Sequence, residues 1–192
     1  MLDWERRHDF LRREAAEDLA AGPAVRPAFL AFAGHVPLLL AFLRDFPPGG
    51  HLEAVAEVAL FARMLGSDRL ALSLAGRAWS LADPVTPVLP GEADLRQRVL
   101  VVEEIDAGAG CPRYRSTAHP FDVDAGGRVA WGSPISQDSP SGPVGRLLHE
   151  TVSHRRRGGA QRLRALAGEL VDRGHLVALA PAVEALAAPD QP

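Results

Sequence analysis

"RLALSLAG", Arg69 to Gly76, is where the hydrophobic period of this chain changes. Leu70, Leu72 and Leu74 fall on one side, and Ala71, Ser73 and Ala75 on the other. An alternation of period two predicts a strand, because successive side chains of an extended chain point to opposite faces. The segments before it are spaced as helices. In Leu2–Ala21 the residues Trp4, Leu11, Ala15 and Leu19 make most of a helical stripe amid Arg, Asp and Glu. Pro27–Leu43 contains no Asp, Glu or Arg and predicts a buried core helix, broken or kinked at Pro37. Leu52–Leu65 predicts a third helix with Val55, Val58, Ala59 and Ala62 inward, stopped by Gly66.

After the change, strand signals dominate. "RVLVVEEI", Arg98–Ile105, is a continuous β-branched run that predicts a central strand buried on both faces. Pro84, Pro87 and Pro90 recur every third residue and predict a stiff polyproline connection. Arg113–Thr117 predicts another strand, and "RSTAHPFDVDAGGRVAW", Arg115–Trp131, predicts strand, hairpin turn and strand, with Asp124 accepting turn hydrogen bonds. Helical spacing returns at Val144–Arg155 and Ala160–Arg173, and "HLVALAP" predicts a return strand. The expectation is an α+β (or α/β) fold: N-terminal helices, a mixed sheet of about four or five strands with a central hairpin, a C-terminal helix pair and a return strand. One domain spans 1–192, with a helical part at 1–66, a β-rich part at 67–132, a flexible loop at 133–143 and a helical part with a late strand at 144–192.

Composition narrows the function classes. The 192 residues include no lysine and no asparagine, so all 21 basic residues are arginine. Both missing residues have AT-rich codons, which predicts a GC-rich bacterial genome and makes arginine a weak functional signal. Without lysine there is no phosphate-loop Lys and no Schiff-base or PLP chemistry through lysine. A net charge of −3 argues against a basic DNA-binding protein. Cys111 is the only cysteine, which excludes an internal disulfide and multi-Cys zinc, and fits a reducing cytoplasm. The charged N-terminus shows no signal peptide. Pro27–Leu43 lies at the lower length limit for a membrane span, about 17 residues, and Gly34, His35 and Pro37 in its middle favour the core reading.

Three groups of residues are candidates for chemistry. His119, Asp122 and Asp124 form a possible divalent-metal set, and His119, Asp122 and Glu103 (or Glu104) a possible hydrolytic set, since carboxylates with one imidazole suit Mg²⁺ or Mn²⁺. In a regular strand His119 and Asp122 would point to opposite faces. Residues 119–124 fall one ligand short of the His-x-His-Pro zinc motif of JAMM-type isopeptidases, because Thr117 stands where the first His belongs. His149 and His154 are spaced i, i+5, about 140° apart around a helix, which excludes a zincin pair. Arg155, Arg156, Arg157, Arg162 and Arg164 form a basic cluster able to dock a small anion or RNA.

No set is a complete catalytic constellation. The leading expectation is therefore a non-enzymatic cytoplasmic interaction or accessory protein, working with a protein partner or as a homodimer, without a cofactor. A metal-dependent hydrolase around His119 and a phosphate or RNA binder are the alternatives.

Overall fold

The computed structural model describes residues 2–47, 49–78, 96–139 and 142–187. In chain order the elements are α1 (Arg7–Ala21), β1 (Ala28–Ala33), β2 (Val36–Phe42), α2 (His51–Met64), β3 (Arg69–Ala78), β4 (Gln97–Asp106), β5 (Arg113–Val123), β6 (Val129–Trp131), β7 (Ile135–Gln137), α3 (Gly142–Ser153), α4 (Ala160–Asp172), β8 (Leu176–Leu179) and α5 (Pro181–Ala187). The fold is α+β. Eight strands make one sheet in the order β6–β5–β4–β3–β1–β2–β8, with β7 also paired to β5, and every pairing is antiparallel.

Helices cover the two faces of the sheet unequally. On one face Trp4, just ahead of α1, and Leu11 of α1 pack on Leu30, Phe32, Ala71 and Val102, and Ala15 and Leu19 of α1 on Leu100 and Phe121. On the other face α2, α3 and α4 pack Val55, Val58, Leu148 and Leu163 on Phe29, Ala31, Leu70, Leu72 and Ile105. Alternate residues of β1, β3 and β4 therefore enter different cores. This is why β1 and the middle of β4 read as unbroken apolar runs rather than as alternations.

The apolar segment Pro27–Leu43 is not a helix. It forms the β1–β2 hairpin, so two helices and a hairpin stand where three N-terminal helices are expected. The turn is Gly34–His35, with Gly34 at φ +58 and its N–H bonded to Asp68 Oδ1 at 2.8 Å. Pro37 lies where the β1–β2 register shifts, opposite Phe32, at an irregularity that tolerates a residue without an N–H. The other expected helices are present, as are the strands read at Arg69–Gly76, Arg98–Ile105, Arg115–Trp131 and in the return segment. The sheet has eight antiparallel strands rather than a mixed set of four or five. Three residues of the expected loop at 133–143 form β7, and α5 follows the return strand. The Pro84–Pro90 connection lies outside the described residues. Among the described residues no helix is long and apolar enough to cross a membrane.

Candidate functional site

The face of the sheet under α1 carries a buried polar chain. Leu100, Val102 and Glu104 alternate along β4 and point toward α1, as do His119 and Phe121 of β5, because Leu100 pairs with His119 in register. His8 stands on the buried stripe of α1, four residues after Trp4 and three before Leu11. The fold thus brings Glu104, His8 and His119 into line. His8 Nε2 donates to Glu104 Oε2 at 2.8 Å, and His8 Nδ1 lies 3.2 Å from His119 Nε2, one proton being shared between the two rings. Arg7 clamps the same carboxylate through Nε to Oε2 at 2.7 Å and Nη2 to Oε1 at 2.8 Å. Trp131 closes the far side, its ring edge-on to His119 and under the Arg12 guanidinium.

Electrostatics polarise this chain. Burial alone would raise the Glu104 carboxyl, but the hydrogen bonds from His8 and Arg7 and their charges bring it down to about 2. His119 is pushed the other way for a base, down to about 4, by burial first and then by the neighbouring His8 and Arg12 charges, with Glu104 opposing. The result is a fixed anion at one end and a neutral imidazole at the other, with His8 between them.

The sequence-derived residues distribute differently. Asp122 is exposed, and it falls on the opposite face of β5 from His119 by strand alternation. Asp124 Oδ1 accepts from the N–H groups of Gly126 and Arg128, both at 2.9 Å, so its carboxylate holds the hairpin turn in which Gly127 sits at φ +79. Glu103 faces the other core; Ser116 Oγ donates to it at 3.2 Å, and burial raises its carboxyl. The structure therefore brings His119 to Glu104, through His8, but not to Asp122, Asp124 or Glu103. Among the described residues no group of three or more His, Cys, Asp or Glu is placed to hold a metal ion.

Arg155, Arg156 and Arg157 lie exposed in the α3–α4 connection, Arg162 is exposed on the first turn of α4, and Arg164 is half-buried. The connection is stitched to the end of α2 by Arg156 N–H to the Arg63 carbonyl at 3.1 Å and Gly158 N–H to the Met64 carbonyl at 2.8 Å. The cluster is thus three surface arginines on a braced loop and two more on the start of α4.

Beside the Arg7–Glu104 clamp an open cleft of about 710 Å³ runs between the start of α1, the ends of β4 and β5, and α3. Trp4, Asp106, Arg113, Tyr114, Arg115 and Asp138 line it with the clamp. No protein-family model, no curated protein and no solved structure matches this chain.

Proposed function

We propose that the protein works by association rather than catalysis, as a non-enzymatic accessory protein that binds through the β2–β8 end of its sheet. The observation that supports this is the end of the α1-side face, which no helix covers among the described residues. A helix about 10 Å wide spans roughly two strands, which are about 4.8 Å apart. α1 lies toward β4 and β6, and Leu176 of β8 is left 58% exposed beside the half-buried Phe42 of β2. Val171, at the end of α4, is equally exposed. β8 is an outer strand, and its residues Leu176–Leu179 carry no charge, proline or bulge of the kind that shields open edges.

The occupant is a second copy of the chain. Two β8 edges related by a two-fold axis pair antiparallel and bring the same apolar residues together, the self-complementary arrangement of most homodimers. Light scattering on the size-exclusion peak tests this. The expected mass is twice the 20.5 kDa of the chain, falling to one chain for Leu176→Arg, whose exposed position leaves the fold intact. A wild-type protein that stays at one chain mass at high concentration contradicts it.

A second reading is favoured by the Glu104–His8–His119 chain, since a carboxylate that orients an imidazole is how proteins build a general base. It is a hydrolase centred on His119, which would need its metal ligands from residues other than Asp122. Stabilisation by Mn²⁺ or Zn²⁺ that disappears in His119→Ala supports it, and equal melting with and without metals removes it.

A further inference from the structure

In the cleft beside the Arg7–Glu104 clamp each carboxylate is already engaged by a donor, while several donors have no acceptor among the described residues. Glu104 is held by Arg7 and His8, Asp106 accepts from Arg69 Nε and from the Gly108 N–H, and Asp138 accepts from Arg115 Nε, each at 2.7–2.9 Å. Tyr114 is only 7% exposed, and its buried hydroxyl has no hydrogen-bond partner among the described residues. Arg69 rests against the Trp4 ring and Asp106, two of the cleft's walls, and its buried Nη1 has none either. Arg113 is exposed in the cleft wall and has no ion pair or hydrogen bond among the described residues.

A guanidinium offers donors only, and leaving a buried donor unsatisfied costs about 1–3 kcal/mol. Two buried unsatisfied groups and a free guanidinium around one cleft call for oxygen acceptors carrying negative charge. The volume of about 710 Å³ lies within the range of roughly 300–1,000 Å³ usual for small-molecule sites. Trp4, Pro112 and Tyr114 add apolar wall against which the body of a ligand can lie.

We propose that this cleft binds a small organic oxyanion, a carboxylate or a phosphate ester, whose charged head is held by the Arg113 guanidinium and the Tyr114 hydroxyl. The site is independent of the β8 contact.

Calorimetric titration of the full chain with phenyl phosphate, phenylacetate and inorganic phosphate tests it. Saturable binding of at least one probe is expected, and the preferred probe identifies the head group. Arg113→Ala weakens that binding about tenfold or more, as for loss of a charged hydrogen bond. Tyr114→Phe weakens it severalfold, yet melts no lower than the parent, because the lost hydroxyl has no partner in the protein. A residue that served only packing would show no loss of ligand in that substitution. Arg156→Ala, outside the cleft, leaves binding unchanged. No saturable binding of any of the three probes at millimolar concentration, or binding untouched by both Arg113→Ala and Tyr114→Phe, overturns the proposal.

Discussion

His119 shows how much one buried imidazole can make of its surroundings. Its ordinary value is 6.5, and in the fold it is lowered to about 4. Between those two values the unfolded chain takes up a proton that the folded chain refuses. The stability that His119 confers is therefore complete above pH 6.5 and is lost as the pH falls through about 4, an effect on the order of 2 kcal/mol. Denaturant unfolding at pH 7 and pH 5 should show that loss, and His119→Phe should flatten it; an unchanged slope in the variant would remove His119 as its source. Glu104 and Glu57 act lower on the scale. Both carboxyls are lowered from 4.5 to about 2, Glu57 chiefly by its hydrogen bonds from Arg44, so their contribution stands above pH 4.5 and goes as the pH falls through about 2. Replacing Glu104 by Gln leaves the partly buried Arg7 and His8 against a neutral group. The expected cost is about 3 kcal/mol, a fall in the melting midpoint of roughly 6–12 °C by calorimetry. A midpoint within a degree of the parent would mean that the chain of hydrogen bonds is ornamental.

At this scale the sequence was half legible. His119 stood out because it lies in a short run with two aspartates, yet its partners are 15 residues back on β4 and at the start of α1. The signal that does point to them is subtler: a histidine occupying the second place on an otherwise apolar helical stripe, between Trp4 and Leu11, and a glutamate ending the Leu100, Val102, Glu104 alternation. A titratable residue on a buried face must have a buried partner, and each of these faces has one.

At the scale of elements, local pattern succeeds where one face is polar and fails where both are buried. The Arg69–Gly76 alternation and the Asp124–Gly127 turn carry their geometry in a few residues. Pro27–Leu43 does not, since a strand with both faces in cores has no period and matches a buried helix in composition. Gly34 is the residue that separates the two readings, because its positive φ makes the turn. Between elements, the second buried histidine is a clasp. His175 Nδ1 accepts the Arg44 N–H at 3.1 Å, so Nε2 carries the proton and donates to Glu57 at 2.7 Å, while Arg44 and Arg173 grip the same carboxylate. This ties β2, α2 and the α4–β8 corner together. A third contact is steric. At Gly145 of α3 a β-carbon would lie 3.0 Å from the Tyr114 ring, so the helix sits as close to β5 as a glycine allows. Gly145→Ala should cost about 1–3 kcal/mol in denaturant unfolding, against the usual gain from alanine in a helix. A stabilised variant would show that the helix has room to move away.

Among the described residues the sheet is dressed unevenly, with α2, α3, α4 and α5 packed on one face and α1 alone on the other. That asymmetry was not legible, because it depends on which strands are neighbours, and sequence order says nothing of β2 meeting β8 across more than a hundred residues. Its consequence is the uncharged β8 edge, unpaired among the described residues, from which the associating role is argued. Hydrogen exchange followed residue by residue across a range of protein concentrations tests that role most directly. The account predicts that the outward amides of Leu176–Leu179 become protected as concentration rises, with no such change in Leu176→Arg. Exchange at β8 that is fast and identical at every concentration would contradict it.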